Sequence, residues 1–316
     1  NRTYLFRRQA ICSRHPAGYC ALRLFPRLQG GHLLPIQLLL CTDLDRTLLP
    51  NGPQAESSGA RDKFRQLALH SGVTLVYVTG RDRKLVEDAI DEYRLPQPDY
   101  VIADVGSTIY EIQQHDWRHL DKWQQEISPD WAGKSHDEMH SLFSSSLLLK
   151  LQEDKKQNTY KLSYYVSLEA DHEALMLEMH SILVSNKIRA NLIWSIDELA
   201  GTGLLDVLPA SANKRHAIEF LMKQLGFDLS NTLFAGDSGN DLAVLTSPIR
   251  SVLVANASAD VRDEAQQLAL NLGEMDALYC AHGGFLGMNG NYSAGILEGV
   301  AHYMPEITEL IGGGSI

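Results

Sequence analysis

A continuous apolar run stands directly before two carboxylates in this chain, where Leu38–Thr42 is followed by Asp43 and Asp45. An apolar run without alternation is typical of a parallel strand that is covered on both faces of a sheet. Open α/β sheets bind ligands beyond the carboxyl ends of their strands, so this pair is predicted to lie at a ligand site. Two neighbouring carboxylates repel each other unless a cation joins them, and Mg2+ is a cation that prefers oxygen ligands.

Three later segments strengthen this prediction, because an Asp-x-Asp-x-Thr sequence alone is common where a strand enters a polar loop. A second apolar strand ends in Thr79 and Arg81. Lys214 follows a short turn and begins a predicted helix. A third apolar strand ends in Asp237, with Asp241 close behind it. Each segment delivers a phosphate- or metal-binding group from a strand end or a helix start.

The ordered set of carboxylates, hydroxyl, lysine and carboxylates resembles the four motifs of the haloacid dehalogenase superfamily of phosphohydrolases, from about residue 38 to 303. Within that superfamily the chain is similar to the sucrose-phosphate phosphatases. Segments outside the catalytic motifs share this similarity; they are residues 103–110, 160–164, 206–209 and 293–298. The resemblance implies an α/β fold, in which a doubly wound parallel sheet forms a Rossmann-like core and an α/β cap domain is inserted between Thr79 and Lys214.

The resemblance also implies a role for each motif residue. Asp43 is expected to attack phosphorus and form an aspartyl-phosphate, and Asp45 to act as general acid and base. Thr79 and Lys214 are expected to hold the phosphate oxygens. The expected Mg2+ ligands are Asp43, Asp45 through its backbone carbonyl, Asp237 and Asp241. No Cys or His accompanies these residues, so a zinc site is not expected.

Each of these residues also has an ordinary structural interpretation. Asp43 and Asp45 would then form only a polar strand exit. Thr79 would be the N-cap of the helix that follows it, and Lys214 a solvated lysine at a helix start. Arg46 departs from the family pattern, in which a small or neutral residue is frequent at that position. Its side chain is expected to point away from the metal if the Asp45 carbonyl faces inward. The alternative is that Arg46 reaches the phosphate, which would alter the acid and base step.

Contacts to the sugar are expected from the second strand end and from the cap. Arg81 is expected to reach the phosphate or the sugar, and Lys161 to hydrogen-bond sugar hydroxyls from a cap strand. Asn240 is expected to bind substrate and to support its loop, while Asn158 and Asp206 are weaker candidates. The competing interpretation of Lys161 is a solvated position on the cap sheet.

Composition narrows the range of partners. A hydrophobic fraction of 44% in 316 residues is enough for a sizeable core, and no apolar run approaches the ~18 residues of a membrane span. The net charge of −11 argues against a nucleic-acid partner. The four cysteines form no Cys-x-x-Cys pair, which indicates a reducing, cytoplasmic location.

Alternation of predicted strands and helices divides the chain into three parts. Residues 36–115 and 203–311 are predicted to form the phosphatase core, including a strand at 204–208. Residues 116–202 are predicted to form the cap, with a glycine-containing hinge at 201–203.

Residues 1–35 carry six arginines and no carboxylate, and they lack a helical or strand period. A linker, a targeting peptide and a tail with its own partner are the three interpretations. The single Ser of the segment makes a transit peptide a poor match. The first residue is Asn, which suggests a fragment or a processed start, and a linker from an upstream sucrose-phosphate synthase domain is the preferred hypothesis.

The leading functional hypothesis is a Mg2+-dependent phosphatase that hydrolyses sucrose 6-phosphate. One alternative within the same enzyme class is a phosphatase of another glycosyl phosphate. An alternative of another class is a non-catalytic, sugar-phosphate-binding regulatory domain associated or fused with a sucrose-phosphate synthase. The presence of all four motifs disfavours the non-catalytic alternative.

Overall fold

The computed structural model describes residues 36–197 and 200–308. Within these ranges, twelve strands form one sheet of eight strands and one of four. The predicted linker or tail at 1–35 and residues 309–311 at the end of the predicted core lie outside the described residues. Among the described residues, none of the helices combines the length and the apolar character needed to cross a bilayer.

The strands follow one another along the chain as β1 to β12. The larger sheet contains β1 Leu38–Thr42, β2 Val73–Val78, β3 Tyr100–Ala103, β4 Thr108–Gln113, β5 Asp116–His119, β10 Thr232–Gly236, β11 Arg250–Leu253 and β12 Leu278–Cys280. The smaller sheet contains β6 Lys150–Leu151, β7 Leu162–Val166, β8 Ala190–Asp197 and β9 Thr202–Pro209.

Strand β1 lies in the middle of the larger sheet, whose order is β12-β11-β10-β1-β2-β3-β4-β5. The strands from β12 to β3 are parallel, and β4 and β5 add an antiparallel hairpin at one edge. All five residues of β1 are buried, as the unbroken apolar run predicted. The chain leaves β1 toward β2 on one side and later returns to β10 on the other, which makes the end of β1 a topological switch point.

Nine α-helices of the described residues accompany the two sheets. They are α1 Ala60–Ala68, α2 Arg83–Tyr93, α3 Asp121–Ile127, α4 His136–Leu142, α5 His172–Ser185, α6 Lys214–Leu225, α7 Leu242–Leu245, α8 Ala259–Leu272 and α9 Ser293–Tyr303. Helices α1, α2 and α9 contribute to the apolar cluster on one face of the larger sheet, which contains Leu40 and Phe64. Helices α3, α6, α7 and α8 contribute to the cluster on the other face, which contains Leu39 and Trp123. Successive residues of β1 thus point to opposite faces, and the predicted doubly wound α/β fold is confirmed.

The smaller sheet has the order β6-β7-β9-β8 and is antiparallel throughout. Its apolar cluster joins one face of the sheet to α4 and α5, through residues such as Tyr164, Leu205, Met139 and Met179. These four side chains are each at most 1% exposed. The inserted region therefore has a core of its own.

Strand β9 lies in a different sheet from the one predicted. The segment 204–208 was assigned to the phosphatase core, but β9 pairs with β7 and β8 inside the smaller sheet. An apolar run indicates only burial, and β9 is buried because it is an inner strand of the small sheet. The predicted hinge at 201–203 is wrong for the same reason, since Thr202 and Gly203 already belong to β9.

Strand β5 gives the opposite correction. Residues from 116 onward were assigned to the cap, but β5 pairs with β4 in the larger sheet. Helix α3 then packs against that sheet through Trp123 and Ile127, and the Trp123 Nε1 donates to the Gly106 carbonyl at 3.0 Å. Most of this segment is polar, so its sequence did not indicate that it packs against the larger sheet. We therefore propose that the cap consists of residues 128–209.

Candidate active site

The predicted metal and phosphate residues meet beyond the ends of two neighbouring strands. Asp43 follows β1 and Asp237 follows β10, and these strands are paired in parallel. Asp241 lies in the single helical turn that follows, and a Cβ atom at Gly236 would come within 2.7 Å of its carboxylate. Lys214 is the first residue of α6, whose N-cap Asn213 accepts from the His216 amide. Sheet register, a glycine and a helix cap thus place the four charged groups.

Lys214 joins the carboxylates of this group. Its Nζ lies 3.1 Å from Asp43 Oδ1 and 2.7 Å from Asp241 Oδ1, and it also donates to Asn240 Oδ1 at 3.0 Å. The lysine is 3% exposed. Burial by itself lowers the pKa of Lys214, but the charges of Asp241 and Asp43 outweigh it and hold the pKa above its usual value. Lys214 is therefore a buried cation and not a solvated lysine at a helix start.

The three carboxylates carry more negative charge than the lysine offsets. Ligand oxygens of Asp43, Asp237 and Asp241 all lie within 4.8 Å of one another. Burial, and then the charge of neighbouring carboxylates, raises the pKa of Asp43 to about 8, although Lys214 opposes this shift. Burial and the charge of Asp241 likewise raise the pKa of Asp237 to about 6.

These carboxylates fit a hard divalent cation. Mg2+ binds oxygens at about 2.1 Å, so two of its ligand atoms lie roughly 3 to 4 Å apart, which is compatible with the spacing of the three side chains. The Asp45 side chain is not a member of this group. A contribution of its backbone carbonyl stays a prediction.

Asp237 has two further partners in the loop that follows β1. Thr47 Oγ1 donates to Asp237 Oδ1 at 3.0 Å, and Arg46 Nε lies 3.6 Å from Asp237 Oδ2. The prediction that the Arg46 side chain points away from the metal residues is therefore wrong. Arg46 has a left-handed backbone with φ 58°, and the nearby carboxylate of Asp237 attracts its guanidinium.

Asp45 is held by a different set of groups. Arg81 donates to both of its carboxylate oxygens, from Nε to Oδ2 at 2.8 Å and from Nη2 to Oδ1 at 2.6 Å. Asn51 Nδ2 also donates to Asp45 Oδ1 at 2.8 Å. Partial burial raises the pKa of Asp45, but the contacts with Arg81 and Asn51 prevail and the net pKa is lowered. Arg81 was expected to contact substrate. In the structure it forms an ion pair with Asp45, the predicted general acid and base.

Thr79 does not cap helix α2, because the N-cap is Asp82, whose side chain accepts from the Leu85 amide. Thr79 lies just beyond β2, is 1% exposed, and its Oγ1 accepts from the Arg81 amide at 3.2 Å. The hydroxyl proton of Thr79 remains available as a donor. The competing interpretation of Thr79 as a helix cap is therefore wrong.

Lys161, which was expected to contact sugar hydroxyls, lies where the smaller sheet meets the larger one. Its Nζ is 3.3 Å from Asp104 Oδ1, just beyond β3, and 4.0 Å from Asp206 Oδ2 in β9. Lys161 is 8% exposed, so it is not a solvated position on the sheet. Burial raises the pKa of Asp104, although Lys161 and Asn158 oppose the shift.

Asn158 makes a second connection at the same place. Its Nδ2 lies 3.1 Å from each of three oxygens, on Asp104, Ser107 and Thr108. A cleft of about 490 Å3 opens beside these contacts and is lined by residues from both regions, including Asp82, Asp104, Asn158 and Lys156. Cap and core therefore meet through polar contacts that border an open cleft.

Three residues of this site were not singled out by sequence reasoning. Asp104 pairs with Lys161, Asn51 contacts Asp45, and Asn256 donates to the Arg46 carbonyl at 2.6 Å. The Asn-Gly dipeptide at 51–52 is a recognisable turn signal, but it gives no hint of a contact with a catalytic side chain. Asn256 carries no local signal, because its partner is 210 positions away.

Comparison with known proteins gives a family for this arrangement. The family model of the sucrose-6F-phosphate phosphohydrolases matches residues 36–304. A HAD-like hydrolase of Nitrosococcus oceani is 52% identical over 270 residues, which cover 85% of this chain and 72% of that protein. The mannosylfructose-phosphate phosphatase of Agrobacterium fabrum is 29% identical over 72% of this chain and 87% of its own length.

The fold also matches a solved structure. The sucrose-phosphatase of Synechocystis sp., determined in complex with sucrose and phosphate, superposes with a TM-score of 0.63 and 27% identity, over 85% of this chain and 98% of that one. The chain spans only 32% of a longer relative, the glucosylglycerol-phosphate synthase of Pseudomonas anguilliseptica. Similarity to that relative therefore concerns one part of it.

Proposed function

The chain belongs to the sucrose-6F-phosphate phosphohydrolase family, and from this premise we propose that it hydrolyses sucrose 6-phosphate to sucrose and phosphate. Membership makes it a phosphoric monoester hydrolase of sugar phosphates within the haloacid dehalogenase superfamily. The observation that carries the proposal is the buried group formed by Lys214 with Asp43, Asp237 and Asp241. It supplies a nucleophile, an anion-binding cation and a set of metal ligands within a few ångströms.

Asp43 is the proposed nucleophile. One of its carboxylate oxygens attacks phosphorus, the bond from phosphorus to the sugar oxygen breaks, and an aspartyl-phosphate forms. Asp45 donates a proton to the departing sugar oxygen, and it then accepts a proton from the water that attacks the aspartyl-phosphate. Release of phosphate restores the Asp43 carboxylate. Arg81 keeps Asp45 ionised in the unliganded structure, so we propose that Arg81 turns from Asp45 to the entering substrate and that Asp45 takes up a proton from water before it acts as the acid. Proton transfer from the attacking water restores the acid form for the next turnover.

Mg2+ is the proposed cofactor of the three buried carboxylates. When bound it would offset their excess negative charge and stabilise the charge of the transferring phosphoryl group. Lys214 and Thr79 are proposed to bind phosphate oxygens, the first as a point charge and the second as a hydroxyl donor. Asn240 shares Lys214 Nζ with the carboxylates, so we propose that it orients the lysine.

Lys161 is the proposed contact to the sugar. Its present partners, Asp104 and Asp206, are hydrogen-bond acceptors, as sugar hydroxyl oxygens also are. An entering sugar can therefore take the place of a carboxylate beside Nζ when the cap moves. Cap movement of this kind would admit substrate, and closure would exclude water from the aspartyl-phosphate.

A second candidate substrate class comes from the relatives. The similarity to a mannosylfructose-phosphate phosphatase favours other disaccharide phosphates as alternatives to sucrose 6-phosphate. The match to part of a glucosylglycerol-phosphate synthase favours association or fusion with a synthase as a further proposal. The complete carboxylate group argues against a purely regulatory, non-catalytic domain.

One assay separates these possibilities. Phosphate release is measured from sucrose 6-phosphate and from a panel of other glycosyl phosphates, each with Mg2+ and with a chelator. We expect the largest kcat/KM with sucrose 6-phosphate and loss of turnover without Mg2+. A larger kcat/KM with another disaccharide phosphate would make that compound the substrate in place of sucrose 6-phosphate. Binding without turnover of any of these compounds would favour the regulatory domain.

A further inference from the structure

The turn after β1 is held from outside by the side chains of two asparagines. Arg46, with φ 58°, is a non-glycine residue in the left-handed region, where its Cβ lies too close to the following carbonyl oxygen. Asn51 Oδ1 accepts from the Arg46 amide at 2.8 Å, and Asn256 Nδ2 donates to the Arg46 carbonyl at 2.6 Å. Both backbone polar groups of this residue are therefore bound by asparagine amides.

One of these two amides, that of Asn51, also connects the turn to the proposed acid and base. Asn51 uses its other amide atom, Nδ2, to donate to Asp45 Oδ1 at 2.8 Å. One side chain thus fixes the carboxylate of Asp45 and the amide of the next residue. A rotation of the Arg46 peptide would move the Asp45 carboxylate relative to Asp43.

Asn256 is fixed in turn by a second unusual residue. Its Oδ1 accepts from the Tyr292 amide at 2.8 Å, and Tyr292 has φ 51° and ψ −131° at the position before α9. Asn256 is 3% exposed and Tyr292 is fully buried. The Tyr292 hydroxyl donates to the Gln54 carbonyl at 3.1 Å, which returns the connection to the loop that contains Asn51.

We propose that Asn51 and Asn256 are positioning residues that hold the left-handed turn at Arg46, so that the Asp45 carboxylate faces the leaving-group oxygen. The proposal rests on the proposed function, because it gives these residues a role in phosphoester hydrolysis. Hydrogen bonds run from Asn51 through Arg46, Asn256 and Tyr292 to Gln54, and the chain from 51 to 54 completes the connection around the turn. Backbone strain at two of its members is the kind of feature that persists where the surrounding structure over-determines it.

The test compares two leaving groups. Sucrose 6-phosphate releases an alkoxide that needs a proton, whereas p-nitrophenyl phosphate releases a phenolate that departs without one. We expect Asn51→Ala and Asn256→Ala to lower kcat for sucrose 6-phosphate and the single-turnover rate of sucrose release roughly 10- to 100-fold, with KM little changed, because a displaced catalytic group costs about 10^2-fold. We expect the single-turnover rate of p-nitrophenol release to fall less than about threefold, since departure of this leaving group does not need a proton from Asp45. The comparison uses this first step and not kcat, because hydrolysis of the aspartyl-phosphate depends on Asp45 with both substrates.

A matched control is available in the cap. Asn186 is exposed and its Nδ2 donates to the Ile182 carbonyl at 2.9 Å, so Asn186→Ala removes a similar hydrogen bond far from the turn in sequence. Both rates of this variant should stay close to wild type. Asn256 is buried and its variant is at risk of misfolding, so the exposed Asn51 carries the comparison if Asn256→Ala does not fold.

Equal losses in the single-turnover release of sucrose and of p-nitrophenol, or no loss with either, would overturn the positioning role. Absence of sucrose 6-phosphate turnover in the wild type would instead refute the proposed function. In that case amide hydrogen exchange of the peptide covering 43–52 still tests the inference. We expect faster exchange in Asn51→Ala and Asn256→Ala than in wild type and in Asn186→Ala, and unchanged exchange would show that the asparagines do not hold the turn.

Discussion

Two buried lysines lie between pairs of carboxylates in this protein, and they differ in what holds their partners. Lys214 lies 3.1 and 2.7 Å from Asp43 and Asp241, both of which follow strands of the larger sheet. Lys161 lies 3.3 and 4.0 Å from Asp104 and Asp206, which belong to different sheets. Their exposed fractions are similar, at 3% and 8%.

The difference lies in which movements can separate each lysine from its partners. The partners of Lys214 are set by the parallel register of β1 and β10, so this contact survives any movement of the cap. The contact between Lys161 and Asp104 joins a cap residue to the core and breaks if the two sheets separate. Burial and charge pairing alone therefore do not distinguish a cation whose partners are fixed within the core from one whose partner lies in the other sheet.

The largest expected effect comes from changing Asp43, the proposed nucleophile and a fixed partner of Lys214. Asp43→Asn keeps the shape of the side chain but removes both the attacking oxygen and one negative charge, so turnover should be abolished while the fold is retained. Phosphate release and circular dichroism measure the two parts. Activity within about tenfold of wild type would exclude Asp43 as the nucleophile.

The next effect concerns the residue that Arg81 holds. Asp45→Asn should lower kcat for sucrose 6-phosphate about 10^2- to 10^4-fold, because both proton transfers lose their carrier. Pre-steady-state release of sucrose and phosphate would show which of the two steps has slowed. A loss of only a few-fold would assign the proton transfers to another group.

A smaller effect is expected at the lysine between the sheets. Lys161→Met should lower kcat/KM for sucrose 6-phosphate about 10- to 100-fold, mainly through KM, because a hydrogen bond to a charged group contributes about 1.5–3 kcal/mol. The rate with p-nitrophenyl phosphate, which lacks the sugar, should change little. Equal losses with the two substrates would mean that Lys161 acts on the phosphate or on the fold and not on the sugar.

Lys156→Met is the matched control for that variant. Lys156 also reaches from the cap to a core carboxylate, Asp82, at 3.5 Å, but it is partly exposed. Exposed ion pairs contribute little, so both kcat and KM should stay within about twofold of wild type. A control effect as large as that of Lys161→Met would indicate that any cap-to-core contact matters, whatever its position.

Sequence patterns predicted the region around Lys214 more completely than the region around Lys161. Asp43, Asp237 and Lys214 stand at strand ends or a helix start, and apolar runs and turn residues mark such places in a sequence. The contact between Lys161 and Asp104 joins residues 57 positions apart on two sheets, and no local pattern reports it. Strand β9 was placed in the wrong sheet because an apolar run indicates that a strand is buried but not which strands it pairs with.

The contacts of Asp45 show the same limit within the core. Its position in the sequence predicted a proton-transfer role, which stays a prediction, but not its pairing with Arg81 and Asn51. The left-handed turn at Arg46 also went unpredicted, because arginine carries no preference for that conformation. Such features depend on side chains that approach from distant parts of the chain, as Asn256 does.

The smallest expected effect is a pH dependence of the free energy of unfolding, which arises at the carboxylates around Lys214. Between the ordinary carboxyl pKa and the raised values of about 8 for Asp43 and about 6 for Asp237, the folded protein binds more protons than the unfolded chain. The stability of the metal-free protein should therefore fall as pH rises from about 4 toward 8. Mg2+ competes with those protons, so its stabilising effect should grow as they leave.

We therefore expect the rise in the unfolding midpoint on adding Mg2+ to be a few degrees larger at pH 8 than at pH 6. Differential scanning calorimetry with Mg2+ and with a chelator measures it. Asp43→Asn removes the group with the higher raised pKa, so most of the pH dependence should vanish in that variant, whereas Lys161→Met should keep it. An equal midpoint rise at both pH values in the wild type would mean that Mg2+ does not displace protons from these carboxylates. The group around Lys214 would then lack the uncompensated negative charge that distinguishes it from the group around Lys161.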